Sequence, residues 1–417
     1  MIAAASLEER ARAALGLALL VLLAWLLSRK KKLFPWRVVL WGVALQVLLG
    51  LVFLWWNAGR EALQEVSRGV KHFLDLSLQG SVFVFGGLGD PANAGAKPYG
   101  FVMAFMVLPT IIFFSSFMSV LYHLGVMQKV VRAFAWIMAK TMGTSGGETL
   151  SASANIFVGQ TEAPLLVQPF VEKMTESELM AVMTGGFATI AGGVFAMYVG
   201  FGVPAGHLLV ASVMSAPAAL VMAKVMVPET EEPLTKGTLK VEIPRSAANL
   251  VEAAADGALM GLQLALNVGA MLIAFLGLLA VLDAGIAWAG REMGTALSLQ
   301  RILGWIFSPF AALMGVPWED VPRVGSLLGV KIAANELVAY GKLTEPAFRQ
   351  ALSERSFLIA TYALCGFANF GSIGIQLGGI GGIAPSRKSD LARLGFRAML
   401  AGAFASWMTA CLAGVML

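Results

Sequence analysis

The chain has 417 residues, of which 58% are hydrophobic and 13% charged, with a formal net charge of +5. Soluble domains carry roughly 25% charged residues, so the composition excludes an ordinary globular enzyme and points to one integral membrane unit. The basic residues lie in short segments beside apolar runs, where they set orientation rather than bind nucleic acid, and two cysteines in apolar surroundings, Cys365 and Cys411, imply no disulfide framework.

Roughly 20 apolar residues cross a bilayer core, and eight spans are predicted near 13–28, 38–59, 100–122, 179–203, 207–223, 257–282, 356–384 and 398–417. Mixed charges before the first run (Glu8, Glu9, Arg10, Arg12), with no small-residue cleavage site after it, argue against a removable signal peptide. Arg29, Lys30, Lys31, Lys32 and Arg37 place the first loop in the cytoplasm and the N terminus outside. Counting onward, the segment with Lys224, Lys236, Lys240 and Arg245 is cytoplasmic. So is the one with Arg387, Lys388, Arg393 and Arg397, and the C terminus returns outside. Trp36, Trp55, Trp56 and Trp288 fall near span ends, where amphipathic rings belong.

Three further segments read as interfacial amphipathic helices. At 60–76, Leu63, Val66, Val70, Phe73 and Leu74 share one face. At 127–142, Met127, Val130, Val131, Phe134, Ile137 and Met138 do so, and 300–314 follows the same design with a broader stripe. Residues 86–100, rich in Gly, Pro and Asn, read as an extracellular loop.

Segments 146–174 and 318–343 are too polar to face lipid and too apolar for loops. Each is predicted to form a helix–turn–helix hairpin that re-enters the membrane, which is tolerated only where protein or water surrounds it. After each hairpin comes an apolar run broken by a small-residue signature, Gly186-Phe187-Ala188-Thr189 in one and Gly366-Phe367-Ala368-Asn369 in the other. The order of interfacial helix, hairpin, broken helix and helix thus occurs twice, over 126–228 and 299–417. Three spans separate the hairpins, so the repeats are inverted, as in many secondary transporters. Residues 1–125 and 229–298 would form a surrounding scaffold.

Each hairpin carries an acidic residue, Glu162 or Glu336, and a carboxylate inside a membrane is a functional hypothesis by default because insertion costs ~2.5–3.5 kcal/mol. We expect the two in one aqueous pocket near mid-bilayer. In the first repeat, Asn155, Val158, Gln160, Thr161 and Glu162, with Thr189 and Ile190 at the helix break, offer oxygens suited to a hard monovalent cation. The alternative is that Asn155 and Thr189 merely satisfy freed backbone. In the second, Glu336, Asn369 and Ser372 suit a polyhydroxylated ligand, with Phe367 and Val194 as apolar faces for a flat ring; the alternative is that Glu336 pairs with Lys331. His72, His123 and His207 lack metal-ligand spacing, and no phosphate loop, zinc pattern or catalytic triad is present.

Residues 155–164 (Asn155-Ile156-Phe157-Val158-Gly159-Gln160-Thr161-Glu162-Ala163-Pro164), Gly329-Val330-Lys331 leading to Asn335-Glu336-Leu337, and Cys365-Gly366-Phe367-Ala368-Asn369-Phe370 resemble the motifs of concentrative nucleoside transporters of bacterial type. The resemblance runs from about residue 101 to the C terminus. It implies an all-α membrane protein of eight transmembrane helices, two re-entrant hairpins and three interfacial helices, assembled as a homotrimer. It further implies that Gln160, Thr161 and Glu162 meet the nucleobase, directly or through water, with Val194 packed on it. Glu336, Asn369 and Ser372 would hold the ribose, with Phe367 nearby. Sodium would take the side-chain oxygens of Asn155 and Thr189 and the carbonyls of Val158 and Ile190. Thr189 stands where some relatives have Ser, and Leu337 where Phe is more usual. The function implied is sodium-coupled uptake of nucleosides such as uridine across the bacterial inner membrane by alternating access, with no further cofactor. Proton coupling, a channel and an intramembrane enzyme are the competing classes, the last disfavoured by the lack of a nucleophile or metal cluster.

Overall fold

The computed structural model describes residues 5–90, 102–236 and 247–417, and is helical with no strand among them. It begins with α1 (Leu7–Leu26), α2 (Trp36–Gly50), which continues through a π-helical turn (Leu51–Trp55), and α3 (Asn57–Asp75). α1 starts earlier than residue 13 because Ser6 and Glu9 form a reciprocal capping box inside the charged segment. α3 is the first amphipathic helix, with Gly59, Leu63 and Leu74 buried. Then come α4 (Ser77–Phe85), α5 (Met103–Met106), α6 (Leu108–His123) and α7 (Val126–Met142). Most of the expected 86–100 loop, and Lys240 and Arg245, lie outside the described residues. In α7 the buried stripe is Met127, Val131, Ala135, Met138 and Met142, so Ile137 is exposed rather than inward. It sits one step of about 100° off that stripe.

α8 (Gly146–Ala154) leads into a turn and returns as a 3-10 stretch (Ala163–Val167) and the single-turn α9 (Gln168–Val171). The return limb is therefore not a second α-helix. Pro164 and Pro169 account for this, since each lacks the N–H that a continuous helix would use. α10 (Glu176–Ala188) and α11 (Gly192–Gly200) form one apolar run broken at 189–191, followed by α12 (Ala205–Met226) and the 43-residue α13 (Leu250–Glu292). Then come α14 (Leu299–Leu313), the packed pair α15 (Val321–Ala333) and α16 (Glu336–Thr344) where the second hairpin is expected, a short α17 (Pro346–Gln350), the broken pair α18 (Glu354–Leu364) and α19 (Phe370–Ile383), and α20 (Lys388–Met416).

Among the described residues, six helical runs are long and apolar enough to cross a membrane: Trp36–Trp55, Met103–His123, Glu176–Gly200, Ala205–Met226, Leu250–Glu292 and Pro385–Met416. The first and seventh expected spans fall outside that set. α1 opens on Glu8, Glu9, Arg10 and Arg12, and the seventh is split into α18 and α19. α10, α12 and α20 form the buried centre, while α13 is mostly exposed. α13 lies along α6 through small residues: a Cβ on Gly257 would come within 2.6 Å of Ser119 Cβ, and one on Gly261 within 2.7 Å of Ile112 Cα.

The basic segments gather at one end. Arg29 and Arg393 both pair with Glu176, and Arg387 donates to the carbonyls of Glu172 (3.0 Å) and Met174 (2.7 Å) at the base of the first hairpin. At the opposite end Arg355 reaches Glu9 (3.7 Å) and the Gly414 carbonyl (2.5 Å), so both terminal helices finish on the same face.

Candidate functional site

A helix broken inside a protein leaves carbonyls at one edge and N–H groups at the other without intrahelical partners. At the end of α18 those carbonyls are claimed by the second hairpin: Tyr340 Oη donates to Thr361 O (2.6 Å) and Lys331 Nζ to Ala363 O (3.0 Å). Ser406 Oγ takes Cys365 O at 2.6 Å. Lys331, fully buried, is thus committed to a helix end and forms no ion pair with Glu336. Gly366 lies in the break with φ +129°, and a Cβ there would come within 2.7 Å of the Phe187 and Ala188 carbonyls. Only glycine fits both that backbone and that approach, and the two broken helices cross at this point.

Glu336 opens α16 beside its N-cap Asn335 and is buried. Its two carboxylate oxygens are both satisfied. Tyr198 Oη of α11 donates to Oε1 at 3.0 Å, and Asn369 Nδ2 donates to Oε2 at 3.0 Å. Asn369 also caps α19, its Oδ1 accepting from Ser372 N at 2.9 Å. Ser372 Oγ accepts from Gln160 Nε2 at 3.3 Å, and Gln160 Oε1 accepts from Gln376 Nε2 at 3.1 Å. One hydrogen-bonded chain therefore runs Tyr198, Glu336, Asn369, Ser372, Gln160, Gln376 and joins both repeats. A carboxylate, an amide, a hydroxyl and a phenol in one buried line can exchange internal bonds for those of a hydroxyl-rich ligand.

The first hairpin's turn meets the break between α10 and α11. Gly192 N donates to Phe157 O at 3.2 Å, and Ser212 Oγ to Ile156 O at 2.9 Å. Asn155 ends α8 fully buried, its Nδ2 donating to Ser151 O at 3.0 Å. The same Nδ2 lies 3.2 Å from where a Cβ on Gly185 would sit, and Thr189 Oγ1 donates to Gly185 O at 2.9 Å, so both side chains meet α10 at Gly185. Asn155 Oδ1 has no hydrogen-bond partner. Among the described residues nothing donates to the carbonyls of Val158 or Ile190 either. A buried amide oxygen, a hydroxyl with lone pairs to spare and two free carbonyls are the donor set of a hard monovalent cation, and these residues fit sodium.

Glu162 has different surroundings. Its side chain folds over Gly159, where a Cβ would lie 2.2 Å from Glu162 Oε2, and that oxygen has no partner. With Val158, Gly192 and Gly193 it lines a groove of about 390 Å³ walled by α6 and α13, reaching Tyr122 and His123. Glu336 is not among the residues lining it. The expected shared pocket is thus divided, Glu336 in the closed network and Glu162 on the groove, while Gln160, two residues before Glu162, joins the network. Thr161 packs against Gly379 of α19, where a Cβ would come within 2.7 Å of its Cγ2. Val194 is buried on α11, and Phe367 is half-buried in the second break.

Sequence reasoning passed over Tyr198 and Gln376. Both left a signal: a phenol in an aliphatic run and an amide among Gly and Ile each need a buried partner. It also passed over a polar cluster under the first hairpin, where Lys224 Nζ pairs with Glu148 Oε2 at 2.6 Å and donates to Ser177 Oγ at 3.0 Å.

Three family matches run along the chain in order: "Na+ dependent nucleoside transporter N-terminus" over residues 15–88, "Nucleoside recognition" over 104–205, and "Na+ dependent nucleoside transporter C-terminus" over 207–414. An "Uncharacterized transporter" of Haemophilus influenzae is 47% identical across 96% of both chains. The chain belongs to the sodium-dependent nucleoside transporter family. Within that family, human "Solute carrier family 28 member 3" is 46% identical over 96% of this chain but only 59% of its own length, so the chain spans less than two thirds of that relative. The solved transporter CNTnw in an inward-facing substrate-bound state is 44% identical with a TM-score of 0.91, covering 97% of each chain. A variant of it in an outward-facing state is 43% identical with a TM-score of 0.92, covering 98% of this chain and 97% of that one. These family members are transporters, not enzymes, which removes the intramembrane-enzyme alternative.

Proposed function

We propose that the chain is a sodium–nucleoside symporter that concentrates nucleosides such as uridine across the bacterial inner membrane, working as a homotrimer with both termini periplasmic. The observation that carries the coupling is the Asn155 amide oxygen: buried, without a partner, on a side chain that meets α10 at Gly185, the residue whose carbonyl Thr189 also contacts. Sodium held there with the Val158 and Ile190 carbonyls would order the tip that carries Gln160, Thr161 and Glu162. The nucleobase would then meet that tip and Val194, while the ribose hydroxyls exchange with the internal bonds of Glu336, Asn369 and Ser372 beside Phe367. Coupling is the difference in nucleoside affinity between the sodium-free and sodium-loaded forms, and it must be reciprocal.

Residues 126–228 and 299–417 would move as a body against a scaffold formed by 1–125 and 229–298. The groove that Glu162 lines lies between the first hairpin's tip and α6 and α13 of that scaffold, where such sliding would open a path. The end that gathers Arg29, Arg387 and Arg393 faces the cytoplasm under the positive-inside rule, so the first hairpin enters from inside and the second from outside. Uptake of labelled uridine into proteoliposomes tests the reading. Accumulation above equilibrium is expected with an inward sodium gradient; equal rates in potassium overturn sodium coupling, and equal drive by a proton gradient would replace it.

A further inference from the structure

Gln376 has no assigned task, yet its geometry restricts what Gln160 can do. It is fully buried on α19, and its Nε2 donates both to Met183 O of α10 (3.1 Å) and to Gln160 Oε1 (3.1 Å). A backbone carbonyl can only accept, so the Gln376 amide must turn its nitrogen toward Met183. The second hydrogen of that nitrogen then meets Gln160 Oε1. Gln160 is left with its own nitrogen facing Ser372 Oγ, the side that leads to Asn369 and Glu336. Gly186 makes the pairing possible: a Cβ there would lie 2.8 Å from both Gln160 Cβ and Gln376 Nε2.

We propose that Gln376 is a positioning residue that locks the Gln160 amide as a hydrogen-bond donor toward the substrate, and so sets which nucleobases the site prefers. This rests on the nucleoside-symport reading above. A freely rotating glutamine would serve a base acceptor or a base donor equally well; a tethered one favours an acceptor at that position. Uridine and cytidine share the O2 acceptor but exchange donor and acceptor at N3 and at position 4 of the ring, so a fixed amide donor that meets either of those two atoms must discriminate between them.

The test compares kcat/KM for uridine and cytidine in proteoliposomes containing wild type, Gln376→Met and Gln376→Glu. Methionine keeps the volume and removes the donor. Glutamate keeps the shape and in neither protonation state donates to both Met183 and Gln160, so it stands in should the methionine variant misfold. The expected result is a wild-type preference that moves by about two- to tenfold, the worth of one net hydrogen bond, toward or past unity, the disfavoured nucleoside improving as the favoured one weakens. In a Gln160→Met background the same changes should leave the ratio where Gln160→Met alone puts it. A purely packing role would lower both nucleosides together and keep the ratio, and that result overturns the proposal. A wild type that treats the two alike overturns it as well, while leaving symport intact. A wild type that carries neither removes the symport reading and this proposal with it.

Discussion

The turn after α8 and the turn between α15 and α16 are finished in opposite ways. In the second, Glu336 has both oxygens occupied by Tyr198 and Asn369. In the first, Asn155 Oδ1 and Glu162 Oε2 are buried with no partner. A buried acceptor left alone costs about 1–3 kcal/mol, so the first tip is the less complete structure and the one a cation would finish. The second tip is complete by itself, and a ligand there must trade bond for bond.

The bases show the converse. Each hairpin is clamped to its broken helix by a hydroxyl–carboxylate contact with donor and acceptor exchanged. In the first repeat Ser145 of the hairpin donates to Glu178 of α10 at 2.5 Å. In the second, Ser353 and Ser356 at the start of α18 donate to Asp320 of the hairpin at 2.8 and 2.6 Å. The first base adds the buried Lys224–Glu148 pair, while the second adds only the partly exposed Arg323–Asp320 pair to its hydroxyls. The buried ion pair thus lies under the tip that has the loose end.

That contrast makes ordered predictions. Lys224→Met should be the most damaging, because it strands Glu148 in the interior, at ~3–5 kcal/mol. Thermal unfolding in detergent should show a large drop that Glu148→Gln added to Lys224→Met mostly reverses. Next, Glu336→Gln removes the charge that anchors two donors, and charge-assisted bonds contribute roughly 1.5–3 kcal/mol each. Uridine affinity by calorimetry should fall at least tenfold, and unchanged affinity would discredit the ribose assignment. Asn155→Ala should cost far less stability than Lys224→Met but flatten the sodium dependence of uridine binding by about tenfold, on the scale of one coupling free energy. Ser353→Ala, which removes an N-cap and one Asp320 donor, should lower stability by only about 1 kcal/mol, with uridine affinity intact.

Much of this was legible in the sequence because membrane helices obey two coarse rules, apolar length and the placement of Lys and Arg. The long apolar helices and the gathering of Arg29, Arg387 and Arg393 at one end follow from them, and the small-residue signatures marked both helix breaks. Local chemistry was harder. The capping box at Ser6 extends α1 through a segment that charge alone would exclude, and two prolines turn the return limb of the first hairpin into a 3-10 stretch. Partnerships across the fold left the faintest trace. Lys331 is five positions from Glu336, but it goes to a carbonyl that only a break at the end of α18 makes available. Tyr198 reaches Glu336 from 138 positions away, and sequence spacing carries no record of such a pair.

The most direct test of coupling at the first hairpin's tip is a reciprocal titration on the purified protein. Uridine Kd is measured across sodium concentrations with choline as replacement, and sodium affinity with and without uridine. Each ligand is expected to tighten the other by the same factor, and Asn155→Ala to abolish both effects together. Uridine binding that ignores sodium, or a variant that keeps the linkage whole, would contradict coupling at that tip.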